Sequence, residues 1–132
     1  MAMPAPLIVV VEDDLPTLKA LGRVLRAAGF DTATYSSAEA YLASPPVRNA
    51  HCLLLDIQLG GMSGLELQRH LRAHGSRLPV IVMTAFDDER VRDEANRMGC
   101  AGYLDKAADI DVLLGLIRSF PAAGPSDNTK VL

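Results

Sequence analysis

Glu12, Asp13 and Asp14 follow directly on the apolar run from Leu7 to Val11, and Asp56, Thr84 and Lys106 each stand at or just past the end of a further short strand-like run. Three acids in a row repel one another, and two carboxylates about 4 Å apart do so by roughly 4 kcal/mol at an effective dielectric near 20. If the fold brings Asp13 and Asp56 together, the pair must hold a proton or a cation. A hard divalent ion suits such a set. Mg²⁺ takes one or two carboxylates and completes its shell with water and phosphate oxygens, whereas Ca²⁺ wants more ligands than these acids offer. No glycine-rich loop follows Val11, which disfavours a dinucleotide or P-loop site. Acids at that corner would repel a phosphate unless a metal bridged the two.

These side chains act together only if the elements carrying them converge. Short apolar runs occur at Leu7 to Val11, Cys52 to Leu55 and Val80 to Met83, while "DTATY" (31 to 35) and "GYLD" (102 to 105) are poorer in apolar residues. Between them the spacing becomes helical. Leu18, Leu21, Gly22 and Leu25 keep one buried face before Gly29, where a helix end is expected. Ser36 with Glu39 has the form of a capping box ahead of a short second helix. Gly64, Leu67 and Leu71 mark a third, Val91, Ala95 and Met98 a fourth that stops at Gly99, and Ile110, Leu113, Leu114 and Ile117 a fifth. Strands alternating with helices predict an α/β fold, a doubly wound parallel sheet with helices on both faces. The most apolar runs belong in its middle, so the first, third and fourth strands are central and the second and fifth lie at the edges. Right-handed crossovers then favour the order 2-1-3-4-5, the flavodoxin-like (βα)5 arrangement, with ligands beyond the carboxyl ends of the strands. Those ends carry Glu12, Asp13, Asp56, Thr84 and Lys106.

The 132 residues suffice for one domain, and 49% apolar with 22% charged residues is the balance of a globular protein. A net charge of −3 gives no reason to expect direct nucleic-acid contact from this segment. No apolar run approaches a membrane span and "MAMPAP" lacks the features of a signal peptide, so the expected location is cytoplasmic. Cys52 and Cys100 lack metal or redox spacing and are expected as free buried thiols. We expect an N-terminal extension over 1–6, the domain over 7–120 and a flexible tail or linker over 121–132.

The stretches "VVEDD" (10 to 14), "LLLDIQLGGMSGLEL" (53 to 67), "VIVMTA" (80 to 85) and "GCAGYLDK" (99 to 106), in this order at strand ends, resemble the receiver domain of bacterial two-component response regulators. The resemblance covers about residues 7–120. It implies that Asp56 accepts a phosphoryl group from a partner histidine kinase or phosphotransfer protein, with Mg²⁺ as cofactor. Asp13 would hold the ion directly, Glu12 through water, Asp56 in common with the phosphoryl group, and Gln58 through its backbone carbonyl. Lys106 and Thr84 would contact the phosphoryl group, with Thr84 and Tyr103 as the switch pair and Ala85 leaving room beside them. The implied protein is a regulatory phosphoacceptor that catalyses only its own phosphotransfer and autodephosphorylation. It would signal to an output domain or protein through its fourth helix, fifth strand and fifth helix, about residues 88–120. A phosphorylation-dependent homodimer is compatible with that surface. With no helix-turn-helix segment after residue 120, the chain reads as a stand-alone receiver or as one piece of a longer regulator.

The chain departs from the family's usual pattern where Ala107 and Gly60 replace prolines. A non-proline bond after Lys106 is expected to be trans, a cis one costing about 3 kcal/mol more, and it leaves the reach of Lys106 to the loop. Glycine at position 60 adds backbone freedom beside the acids. Competing readings are a phosphorylation-independent, receiver-like binding module and a haloacid-dehalogenase-like phosphatase, which would want Asp-x-Asp after the first strand. Single residues have plainer readings too. Asp14, before Leu15 and Pro16, is expected as a helix N-cap. His70 and His74 share a helix face but have no evident third ligand, and read as solvated. Val112, Leu116 and Phe120 form a second apolar stripe, either core edge or dimer face.

Overall fold

The computed structural model describes residues 5–47, 49–86 and 88–121. The strands are β1 (Leu7–Val11), β2 (Asp31–Tyr35), β3 (Ala50–Asp56), β4 (Val80–Thr84) and β5 (Gly102–Asp105). They alternate with α1 (Leu15–Ala27), α2 (Ala38–Ala43), α3 (Gly64–Ala73), α4 (Glu89–Arg97) and α5 (Ile110–Arg118). All pairings are parallel in the order β2-β1-β3-β4-β5, as the alternation of runs predicted.

The two-residue period of a strand divides the core. Val9, Val11, Leu53, Leu55, Val80 and Val82 point to one face, where Tyr41 and Leu42 of α2, Leu67 and Leu71 of α3 and Ala95 of α4 cover them. Ile8, Val10, Cys52, Leu54, Ile81 and Met83 point to the other, under Leu18 and Leu25 of α1 and Leu113, Leu114 and Ile117 of α5. Every residue of β3 is buried, and from Cys52 to Leu55 this strand is apolar on both faces before it ends in Asp56. It also begins two residues before the apolar run, because Ala50 and His51 are buried as well; His51 Nε2 lies 2.9 Å from the carbonyl of Ile117. Truncating a central residue such as Leu54 to alanine would cost about 2–5 kcal/mol.

Local chemistry sets the helix ends. Asp14 caps α1 by accepting from Thr17 N at 3.1 Å, as its place before Leu15 and Pro16 predicted. Gly29, at φ +98°, takes the left-handed turn that releases the chain into β2. The expected Ser36 capping box is not formed. Ser37 caps α2 instead, accepting from Ala40 N at 2.9 Å, and the Glu39 carboxylate turns away to the loop after β3. The free thiols divide: Cys52 is buried and Cys100 only half-buried. The stripe on α5 divides too. Leu116 and Phe120 pack at the edge of the core while Val112 is 52% exposed. Among the described residues, no helix is long and apolar enough to cross a membrane.

Candidate functional site

Backbone hydrogen bonds beyond the strand ends fix where the site residues stand. Glu12 N donates to Tyr35 O (3.0 Å), Ile57 N to Met83 O (3.0 Å) and Lys106 N to Thr84 O (2.8 Å). The sheet pattern thus continues one residue past β1, β3 and β5, and the side chains just there meet at one edge. Glu12 is fully buried, Asp56 is 2% exposed and Asp13 is exposed. Each of the three offers a carboxylate oxygen, and these oxygens lie within 4.8 Å of one another.

Lys106 sits among them. Its Nζ donates to Glu12 Oε1 at 2.5 Å and to Asp56 Oδ2 at 3.0 Å. The second oxygen of Asp56 accepts from Gln58 N at 3.0 Å, and Asp13 Oδ2 accepts from Gly60 N at 3.2 Å. Burial pushes the Glu12 carboxyl up to about 7, reinforced by its contact with Asp56 and only partly offset by Lys106. Burial alone would lower the Lys106 ammonium, but its bonds to Glu12 and Asp56 outweigh this and hold it above its ordinary value. A fully buried acid displaced that far upward gains from any cation that settles beside it.

The departures at positions 60 and 107 acquire structure. All described peptide bonds are trans, that between Lys106 and Ala107 included, and Lys106 still reaches both buried acids. Ala107 N donates to Asp105 Oδ1 at 2.8 Å, a bond that proline could not make, and this turn holds the loop after β5. Likewise, the Gly60 bond to Asp13 uses an N–H that proline lacks.

Thr84 and Tyr103 are placed differently. The Thr84 hydroxyl is buried and spends both its functions on its own loop, donating to Phe86 O at 2.8 Å and accepting from Phe86 N at 3.1 Å. Tyr103 is half-buried against the α3–α4 side of the core, with the Arg92 guanidinium 5.2 Å from its ring centroid. Its hydroxyl is enclosed and, among the described residues, has no hydrogen-bond partner. His70 and His74 stack at 4.2 Å at the end of α3, and His74 Nδ1 lies 2.9 Å from the His70 carbonyl, while among the described residues the buried His70 Nε2 has no hydrogen-bond partner.

Two contributors were missed from the sequence. Glu39 of α2 accepts from Met62 N at 2.9 Å and lies against Gly61, which at φ +73° has no Cβ to collide with it. Gly64 opens α3 so close to β3 that a Cβ would fall 2.2 Å from the Asp56 carbonyl oxygen. The run "LGGMSG" was the available signal, since repeated glycines mark left-handed turns or close backbone approach.

Comparison with known proteins agrees with this fold. Residues 8–118 match the family model described as the response regulator receiver domain. The transcriptional regulatory protein FixJ of Bradyrhizobium diazoefficiens is 30% identical over 112 residues, covering 85% of this chain and 55% of that protein. The DNA-binding transcriptional regulator NtrC of Salmonella typhimurium is 35% identical over 109 residues, covering 83% of this chain and 23% of that protein. Among solved structures, the crystal structure of FixJ-N superposes with a TM-score of 0.80 at 33% identity, covering 88% of this chain and 93% of that one. The chain thus spans about half the length of FixJ and a smaller share of NtrC.

Proposed function

The chain belongs to the response regulator receiver family, and on that premise we propose that it is a phosphorylation-controlled signalling switch with Asp56 as phosphoacceptor. The observation that carries the reading is the placement of the Lys106 ammonium 3.0 Å from Asp56, in a corner where Glu12 and Asp13 bring further carboxylate oxygens within 4.8 Å.

The donor set fits Mg²⁺: hard oxygen ligands, few of them, beside a nucleophile that must meet a dianionic group. Asp13, Asp56 and the Gln58 backbone carbonyl would hold the ion and Glu12 would act through water. Bound there, Mg²⁺ supplies neutralisation of phosphoryl charge. The chain's own residues do the rest. An Asp56 carboxylate oxygen attacks phosphorus in line, forming the acyl-phosphate bond as the bond from phosphorus to the donor's imidazole nitrogen breaks. Such a transfer needs positioning and charge compensation more than a strong nucleophile. Gln58 N orients the carboxylate, and Lys106 remains beside it to neutralise the new group.

The readout follows from Thr84. To donate to a phosphoryl oxygen, its hydroxyl must give up the Phe86 carbonyl, so the loop after β4 is released as the new bond forms. Tyr103, packed beside β4 with an unsatisfied hydroxyl, has cause to repack when that loop moves. Driving such a two-state equilibrium from 1:99 to 99:1 takes about 5.5 kcal/mol, which several charge-assisted bonds supply and one does not. The surface altered is α4-β5-α5, offered to an output partner or a second copy; the donor is a histidine kinase or phosphotransfer protein.

Acetyl phosphate or beryllofluoride, each with and without Mg²⁺, tests the reading. With acetyl phosphate, a base-labile mass increment of one phosphoryl group that requires Mg²⁺ and vanishes in Asp56→Asn is the expected result. A chain inert to both reagents would instead be a phosphorylation-independent binding module.

A further inference from the structure

The second candidate site lies along the flank of α1 that borders β2 and shares no residue with the acidic corner. An open surface groove of about 550 Å³ runs between α1 and β2, lined by Leu15, Leu18, Lys19, Gly22, Arg23, Arg26 and Thr34. Three of its seven lining residues are cations and none is an acid, on a chain whose net charge is −3. Lys19, Arg23 and Arg26 recur at helical spacing along one stripe of α1. Among the described residues none of the three has a carboxylate partner; Arg26 donates instead to the neutral Thr32 hydroxyl at 3.0 Å. Gly22 keeps the floor low, since a Cβ there would stand 3.0 Å from the Arg26 guanidinium.

The far wall of the groove is an unpaired sheet edge. β2 is the terminal strand, and its pairing with β1 fixes which backbone groups turn outward. Asp31 N donates to Pro6 O and Tyr35 O accepts from Glu12 N, so the backbone groups of Asp31, Ala33 and Tyr35 face β1. Those of Thr32 and Thr34 therefore face away from the sheet, and among the described residues their N–H groups have no partner outside it. The same alternation turns the Thr32 and Thr34 side chains toward α1, as the Arg26 bond and the lining of the groove show. Thr34 is exposed, and no proline, bulge or lysine on β2 blunts the edge.

We propose that this groove docks an extended acidic segment of a partner protein, added as a strand beside β2. Main-chain bonds to Thr32 and Thr34 fix its register, and every second side chain then falls on the α1 side, where carboxylates meet Lys19, Arg23 and Arg26 and apolar groups meet Leu15 and Leu18. Charge chooses the occupant: a basic segment is repelled, and a neutral one forgoes the ion pairs that steer association.

The test uses the full chain and a synthetic peptide of about eight residues alternating glutamate with valine, with a lysine-valine peptide of equal length as control. We expect the acidic peptide alone to bind, to slow hydrogen exchange at the Thr32 and Thr34 amides, and to weaken by about tenfold or more in the double variant Lys19→Glu, Arg23→Glu. Both lysine and arginine are exposed, and unchanged circular dichroism would show the variant folded. Thr34→Pro removes one outward N–H without touching the β1 ladder and should weaken binding while leaving the fold intact. Equal binding of both peptides, no binding of either, or binding without protection at Thr32 and Thr34 overturns the proposal. So does duplex DNA binding as tightly as the acidic peptide, which would make the stripe a general polyanion patch.

Discussion

Lys106 Nζ stands 3.0 Å from Asp56 Oδ2 and 2.5 Å from Glu12 Oε1, bridging two buried acids delivered by different strands. The ammonium is the compensating charge for a corner that would otherwise hold carboxylates facing one another. Replacing it in Lys106→Ala should cost about 1–3 kcal/mol at neutral pH without divalent cation, since both acids lose their partner but Glu12, already pushed up to about 7 by burial, can take up a proton. Urea unfolding measures this, and saturating Mg²⁺ should recover part of the loss. An unchanged midpoint in metal-free buffer would mean that the ammonium compensates nothing.

Glu12 gives the site a pH dependence whose sign can be worked out. Its carboxyl rises from the ordinary 4.5 to about 7 in the folded chain, chiefly through burial. Between those values the native state binds more protons than the unfolded one, so stability falls as pH rises. The contribution is whole below about 4.5 and lost as pH climbs through about 7. Metal-free unfolding between pH 5 and 8 should show this decline, and Glu12→Gln should flatten it. A wild-type curve that rises across the window would contradict the buried, proton-holding state of Glu12.

The sheet order and the meeting of Glu12, Asp13, Asp56 and Lys106 at one edge were legible because strand burial and strand ends are written in local apolar runs. Asp14 was legible for the same local reason, as a capping acid before Leu15 and Pro16. What escaped depended on contacts between segments distant in sequence. Ser36 and Ser37 both suit a cap, and the choice between them was settled when Glu39 was drawn across to Met62. That Thr84 satisfies its hydroxyl within its own loop depends on the path of Phe86, which no periodicity encodes. The trans bond at Ala107 was predictable from residue type; the Asp105 carboxylate that secures the turn was not.

Gly60 offers a test of how the loop after β3 tunes the acids. Its N–H holds Asp13 Oδ2 at 3.2 Å, so a cation bound by Asp13 competes with that bond. Gly60 is not in the left-handed region and a substituent there meets only Asp13 Oδ2, at 4.0 Å, so a proline is not excluded by the sign of its backbone angle. Gly60→Pro deletes the donor. With one hydrogen bond contributing about 0.5–1.5 kcal/mol, Mg²⁺ should bind roughly two- to tenfold more tightly. Calorimetric titration of the two proteins decides it; equal or weaker affinity in the variant would show that the Gly60 bond does not hold Asp13 back.

Two glycine-to-alanine changes, each in a helix, should have opposite effects because their surroundings differ. At Gly64 the added methyl would meet the Asp56 carbonyl oxygen at 2.2 Å and Ile57 Cα at 2.8 Å, both backbone, so either the start of α3 or the end of β3 must move. Overpacking against backbone costs about 2–4 kcal/mol, and the displacement falls on the residue proposed to take the phosphoryl group. Gly115, inside α5, has nothing within 4 Å of the added atom and no positive φ, so alanine there gains helix propensity at no steric cost. Gly115→Ala should stabilise the fold by about 0.5–1 kcal/mol and leave acetyl-phosphate labelling unchanged. Denaturant midpoints and labelling measured on both variants make the comparison internal. If Gly64→Ala were as stable and as readily labelled as Gly115→Ala, the close seating of α3 on the Asp56 backbone would be wrong.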